Sequence, residues 1–210
     1  PEDLVIGIET PSLETTNELM RQCDLVLATG GGAMVHAAYS SGSPALGVGV
    51  GNAVITVDDT ADLDAAAEKI RLSKTLDLAA SCSSDNSVVL LEGIYEPMLE
   101  KLKAQGGYFC NEEEKAALRN TLWDEELHLN TAIVAQPPEK IAQMAGLSIP
   151  EETKFFIVPE DGWGPEHPFS GEKLSVIMAL YRARDIDHAI ELTQNIQAYQ
   201  GQGHSCGIYS

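Results

Sequence analysis

Cys82 is the residue whose neighbours best suit it to chemistry. It lies in Lys74-Thr-Leu-Asp-Leu-Ala-Ala-Ser-Cys-Ser-Ser-Asp-Asn-Ser-Val88, among small polar residues between an expected helix and an expected strand. Ser81, Ser83 and Ser84 leave the sulfur open to an approaching carbonyl, and a thiolate with such access is a nucleophile. The competing reading is a small buried hydrophobe, the usual state of a free cysteine. A second stretch, Thr29-Gly30-Gly31-Gly32, falls between a strand and a helix start, where unblocked backbone N–H groups can face a phosphate. Three consecutive glycines are not the Gly-x-Gly-x-x-Gly fingerprint, so a tight structural turn is the alternative. A third stretch, Gly47-Val-Gly-Val-Gly-Asn52, alternates glycine as strands do where a ligand or another backbone comes close.

Other reactive types are scattered. Cys23, Cys82, Cys110 and Cys206 form no Cys-x-x-Cys pair, so the spacing indicates neither a zinc site nor a disulfide framework and fits a reducing, cytoplasmic setting. His36, His128, His167 and His188 show no metal-ligand spacing with each other or with the cysteines, and no metal is expected.

The elements that must position these residues follow from apolar periodicity. Strands are expected at residues 4–8, 25–28, 44–48, 54–57, 87–91, 131–135, 154–158 and 175–180. Helices are expected from Ser12 to Gln22 with Leu13, Thr16, Leu19 and Met20 inward, from Ala33 to Tyr39, and from near Thr60 with Leu63, Ala66, Ala67 and Ile70 inward. Further helices are expected from Ile94 to Gln105, from Glu112 to Asn120 with an acidic solvated face, after Pro137-Pro138 to Gly146, and after Asp185 with Ile186, Ala189, Ile190 and Thr193 inward. The last residues, His204 to Ser210, stop where one more strand should form. Strand–helix alternation predicts an α/β fold with a parallel sheet.

At 210 residues, 44% of them hydrophobic, the chain can furnish a substantial core. Its net charge of −19 disfavours nucleic acid or an anionic membrane as partner, and no apolar run reaches membrane-spanning length.

Taken together, Ala28-Thr-Gly-Gly31, Ala37-Ala-Tyr-Ser-Ser-Gly42, Gly47 to Asn52, Ser73-Lys-Thr75, Cys82-Ser-Ser-Asp-Asn-Ser87, Gly106-Gly-Tyr108, Pro168-Phe169, Glu172-Lys-Leu-Ser175 and Gly203-His-Ser-Cys206 resemble the aldehyde dehydrogenase superfamily, in family order and along essentially the whole chain. The likeness is to its coenzyme A-acylating branch. It implies part of a Rossmann-like cofactor domain over residues 1–51, followed by the catalytic α/β domain over 52–210. Family members have further sequence on both sides, so the chain is expected to be an internal segment of a longer, homo-oligomeric enzyme. The isolated segment is expected to lack activity.

The resemblance also assigns roles. Cys82 matches the nucleophile, passing through a thiohemiacetal to a thioester, with its own N–H as oxyanion donor. Thr29, Gly30, Gly31 and Gly49 match cofactor contacts, Glu172 the carboxylate that takes the ribose hydroxyls, and Phe169 the ring beside the nicotinamide. Val48 stands where hydrolytic members carry a general-base glutamate, which points to coenzyme A rather than water as acyl acceptor. His204 either assists proton or acyl transfer or is structural, and Cys206 is expected to pack in the core. The implied reaction uses NAD or NADP to convert a short aldehyde and coenzyme A to an acyl-CoA. The alternatives are a hydrolytic relative giving a carboxylate and a non-catalytic nucleotide-binding or assembly fragment.

Overall fold

The computed structural model describes residues 4–210, which divide into a unit ending at Val50 and a unit spanning Gly51–Ser210. In the first, α1 (Leu13–Gln22) is capped by the Ser12 hydroxyl, which accepts from the Thr15 N–H. Parallel strands β1 (Val26–Thr29) and β2 (Ala45–Val48) are joined through α2 (Gly32–Tyr39). Met20, Val26, Ala28 and Ala38 form its small core. Gly47 is required where it stands: a Cβ there would lie 2.7 Å from Val35 and 2.9 Å from the Tyr39 ring, whose hydroxyl accepts the Gly47 N–H at 3.0 Å.

Two expectations fail in this unit. Residues 4–8 form no strand, and Leu4, Val5 and Ile6 are exposed. β1 and β2 pair with each other, and an apolar run becomes a strand only beside a hydrogen-bonding neighbour. Along α1, Met20 is buried, but Leu13 is 82% exposed and Leu19 49%.

The second unit is a parallel sheet in the order β5-β6-β7-β4-β3-β8. Its strands are β3 (Ala53–Val57), β4 (Asp85–Leu91), β5 (Gly107–Phe109), β6 (Phe155–Pro159), β7 (Ile177–Ala183) and β8 (Cys206–Tyr209). The helices are α3 (Leu63–Thr75), α4 (Tyr95–Ala104), α5 (Glu112–Leu122), α6 (Pro138–Ala145) and α7 (Ile186–Tyr199). Phe155 to Val158 and Ile177 to Tyr181 are buried without a break, the pattern of central parallel strands covered on both faces. Between β3 and β4 the register steps, with Ala53 opposite Asp85 and Val54 opposite Ser87, so Asn86 is the extra residue and its side chain is re-aimed.

Corrections here trace to local chemistry and helix phase. Residues 131–135 form a short 3-10 turn, Thr131–Ile133, because the Asn130 side chain accepts the Ala132 N–H and closes a turn. α7 buries Ala189, Leu192 and Ile196, leaving Ile186 and Ile190 exposed. α5 runs to Leu122 and buries Leu118 and Leu122 behind its acidic face, after a capping box of Asn111 and Glu114. β5 was not expected, and β8 forms within the chain, with Cys206 exposed rather than packed.

The parallel sheet places four loops along one edge. The segments leading into the adjacent strands β7, β4, β3 and β8 carry Glu172–Leu174, Cys82, Gly51–Asn52 and His204 respectively.

Candidate active site

The Asp62 carboxylate caps α3 by accepting from the Asp64 and Ala65 N–H groups, and Ala66, Ala67 and Ile70 bury the inner face. Lys74 continues that stripe one turn beyond Ile70. Past the helix end, Asp77, Leu78 and Ala79 hold φ of 47°, 53° and 58°. Left-handed backbone costs a non-glycine residue about 1–2 kcal/mol, so three in succession persist only because the surrounding fold holds them. The chain then makes a turn closed by the Ser84 N–H donating to the Ser81 carbonyl at 3.1 Å. Cys82 is its second residue, half-buried, and its N–H takes no part in the turn's hydrogen bond.

Gly51 lies against this cysteine. A Cβ on Gly51 would lie 2.7 Å from the Cys82 carbonyl oxygen, 2.9 Å from Cys82 Cβ and 2.9 Å from Glu172 Oε1. The Gly51 N–H donates to Glu172 Oε1 at 3.1 Å, and the Glu172 N–H donates to Gln200 Oε1 at 2.9 Å. Burial raises the Glu172 carboxyl above the usual range, opposed by the Gly51 N–H and by Lys173 and Lys74.

A buried polar network supports this arrangement. Asn86 Nδ2 donates to Asn52 Oδ1 at 2.6 Å and to the Gly171 carbonyl at 2.7 Å. Asn52 Nδ2 donates to the Ser170 and Gln200 carbonyls at 2.8 and 3.2 Å. The Lys173 ammonium, wholly buried, donates to the carbonyls of Phe169 and Gly171, and its burial pulls its pKa well down. The segment 168–172 is thereby tied to β3, β4 and the end of α7 through its own carbonyls. Beside it, burial lowers Lys74 to about 7 against the pull of Asp85 and Glu172. Burial raises Asp85 to about 6, opposed by the Ser73 hydroxyl and Lys74.

Comparison with known proteins fits this geometry. The chain is 45% identical over 213 residues to sulfoacetaldehyde dehydrogenase (acylating) of Cupriavidus necator, matching all of this chain and 43% of that protein. It is 42% identical over 212 residues to the bifunctional aldehyde-alcohol dehydrogenase of Escherichia coli K12, matching all of this chain and 24% of that protein. The structure of an acetylating aldehyde dehydrogenase from Geobacillus thermoglucosidasius superposes with a TM-score of 0.96 at 41% identity, over 100% of this chain and 47% of that one. Over its whole length the chain is similar to acylating aldehyde dehydrogenases. It spans between a quarter and a half of the length of these relatives. No protein-family profile matches it. A propionaldehyde dehydrogenase of Rhodopseudomonas palustris, TM-score 0.87 at 26% identity over 96% of this chain and 46% of that one, has been solved with bound coenzyme A and an acylated cysteine. An engineered glycolyl-CoA reductase with the same scores and coverage has been solved with NADP+.

The expected site residues fall in different places. Cys82 and Glu172 meet around Gly51. Thr29, Gly30, Gly31 and Gly49 lie in the unit ending at Val50. There, the Gly30 N–H is taken by the Val48 carbonyl at 3.1 Å, and the first N–H groups of α2 have no intrahelical acceptor. Gly49 is exposed, with open space where a Cβ would stand. Phe169, expected beside the nicotinamide, is 0% exposed and packs edge-on against Trp123 at 4.9 Å. That packing anchors its segment in the core. His204 does not line the cleft at Cys82. It precedes β8, two strands from β4, a separation of about 10 Å at the usual strand spacing.

Sequence spacing missed the buried partners Lys74, Asp85, Asn52, Asn86 and Lys173. Lys74 left a legible trace, a lysine in register with Ala66 and Ile70 on a helix face that must be buried. His128 pairs with Asp124 and Glu126, and His167 with Glu160 at 2.7 Å, but the Lys115 ammonium 3.1 Å from Glu160 makes the latter an ion-pair cluster. No helix among the described residues is long and apolar enough to cross a membrane.

Proposed function

We propose that the protein carrying this chain oxidises a short aldehyde to an acyl-CoA with NAD or NADP, through covalent intermediates on Cys82. The observation that carries the reading is the Cys82–Gly51–Glu172 junction: a half-buried cysteine on a turn, its N–H without an acceptor among the described residues, beside a carboxylate fixed by one oxygen. The Cys82 sulfur attacks the aldehyde carbon, and the Cys82 N–H donates to the oxygen as it gains charge. A bound nicotinamide supplies the hydride acceptor. Loss of hydride from the thiohemiacetal leaves a thioester on Cys82, and the coenzyme A thiol then displaces the Cys82 thiolate.

The residues present suit such a cofactor. Glu172 commits Oε1 to Gly51 and has Oε2 to accept ribose hydroxyls. The glycine-rich start of α2 offers N–H groups to a pyrophosphate. On the resemblance, residues 1–51 belong to the cofactor-binding domain and residues 52–210 to the catalytic domain. His204, set apart from the cleft, assists proton transfer or contacts the acyl group, or is a structural residue.

The acceptor is assigned from Val48. An isopropyl side chain can neither take a proton from water nor orient it, so the thioester persists until a thiol attacks. Acetaldehyde is the default substrate, with sulfoacetaldehyde and succinic semialdehyde as anionic options. A cytoplasmic homo-oligomer is the expected form. Product analysis by mass spectrometry of the full-length protein tests this. Acyl-CoA should appear with coenzyme A present. Without it there should be a burst of reduced cofactor of about one equivalent per site and little carboxylate. Rapid carboxylate formation that ignores the thiol overturns the assignment.

A further inference from the structure

We propose that Lys74 is the ionisation partner of Cys82, taking the thiol proton and holding the resulting thiolate as an ion pair. The proposal rests on the reading of Cys82 as nucleophile and adds the group that activates it.

Lys74 is 1% exposed, yet no carboxylate among the described residues lies within ion-pair distance of its Nζ. A buried ammonium without such a partner carries a large desolvation cost, and a protein tolerates one where the charge or the lone pair is used. Lys74 lines the same small cavity as Cys82, together with Asn52, Ser81, Asn86 and Glu172. That cavity is about 10 Å³, close to what a single water needs, so a proton can cross it through one molecule. α3 and the strained left-handed residues 77–79 fix the lysine on the last turn of the helix and the cysteine in the turn that follows.

The charged groups facing Lys74 come from three elements. Asp85 stands at the start of β4 with Oδ2 buried and unpartnered among the described residues, and Tyr209 on β8 lies in its field. Glu172 and Lys173 come from the segment before β7. Asp85 and Glu172 pull Lys74 toward the cation, but burial dominates and leaves it titrating near 7, with free amine available at neutral pH. The transfer balances: the Cys82 S–H bond breaks, its proton forms an N–H bond with the Lys74 lone pair, and two neutral groups become a thiolate and an ammonium. When the coenzyme A thiol expels Cys82, the same ammonium stabilises the departing sulfur.

The test is the pH dependence of Cys82 alkylation by iodoacetamide in the full-length protein, read by peptide mapping. It measures the thiol rather than turnover. Wild-type Cys82 should inflect at least one pH unit below a free cysteine peptide. Lys74→Met should remove that advantage and alkylate about tenfold more slowly at pH 7, one unit of thiolate fraction. Lys74→Arg, which keeps the cation, should retain the early inflection. Cys110, wholly buried and pushed up to about 12, reports folding in the same digest by staying unmodified. A wild-type profile matching the free peptide overturns the proposal whatever the variants do. So does an unchanged profile in folded Lys74→Met, or a late inflection in Lys74→Arg. If products show acyl-CoA while Lys74→Met changes nothing, Lys74 fails and the proposed function stands. If the profiles shift but carboxylate forms without coenzyme A, the acyl acceptor is wrong and Lys74 stands.

Discussion

Replacing Asn86 with alanine should destabilise the Gly51–Ser210 unit by far more than the loss of one surface amide. Its Nδ2 serves two buried acceptors, Asn52 Oδ1 at 2.6 Å and the Gly171 carbonyl at 2.7 Å, and alanine supplies neither donor. A buried polar group left without its partner costs about 1–3 kcal/mol. Asn52 Oδ1 is the group left so, since the Gly171 carbonyl keeps the Lys173 ammonium, which puts the loss at about 2 kcal/mol and for a unit of this size lowers Tm by about 4–8 °C. Both tryptophans of the chain, Trp123 and Trp163, lie in this unit, so fluorescence during thermal or urea unfolding reports on it directly. The Gly171 carbonyl adjoins Glu172, so the KM for cofactor in the full-length enzyme should rise as well. A Tm lowered by less than about 2 °C, which corresponds to under about 1 kcal/mol, would refute the view that this network holds the 168–172 segment.

Gly51→Ala tests the junction by crowding, since its Cβ would lie 2.7 Å from a backbone oxygen that cannot easily give way. It should cost about 1–3 kcal/mol in urea unfolding and depress both turnover and Cys82 alkylation; near-wild-type values for all three would dismiss the contact. Stability should also depend on pH in two opposed windows. Asp85 is raised in the folded state from 3.8 to about 6, so the folded form holds a proton the unfolded form has lost, and stability falls as pH rises through that window. Lys74 is lowered from 10.5 to about 7, so the unfolded form holds the extra proton and stability rises with pH from 7 toward 10.5. Urea midpoints followed by tryptophan fluorescence from pH 4 to 10 should show both slopes. Asp85→Asn should reduce the lower slope and Lys74→Met the upper, what remains belonging to Glu172, also raised by burial, and to Lys173, also lowered by it; a slope left unchanged by its variant would contradict the assignment.

Periodicity located elements wherever burial was one-sided or continuous. α3 matched the apolar stripe of Ala66, Ala67 and Ile70, and β6 the run from Phe155 to Val158, because such patterns have few ways to be buried. It failed where a partner decided the outcome. Residues 4–8 are as apolar as β1 but have no strand beside them, and the three residues of β5 form a strand only because β6 offers an edge. α7 offered two apolar stripes, and the sheet selected the one through Ala189, Leu192 and Ile196. At the site, the placing of Cys82 between a helix and a strand was legible, and it stands between α3 and β4, whereas the burial of Phe169 against Trp123 was not, because nothing in its motif shows which partner the ring will meet.

The departures from local preference gather at one edge of the sheet. Asp85 Oδ2, Ser87 Oγ and Ser175 Oγ are buried without partners among the described residues, and all three stand where β4 and β7 begin. Two lysines are buried there, Lys74 and Lys173, and left-handed backbone occurs at residues 77–79 and again at Leu174. The same strands further along carry a buried apolar body: Val88 and Val89 on β4 stand in register with Leu180 and Tyr181 on β7, and all four are buried. Each departure is unfavourable alone, and relaxed packing would select against all of them together. They persist because the sheet's apolar body fixes the strand starts from below, leaving the four loops above it little freedom to relax. Cys82 is held at that edge, in one small cavity with Asn52, Lys74, Asn86 and Glu172, polar side chains that the strand starts keep from relaxing away from it.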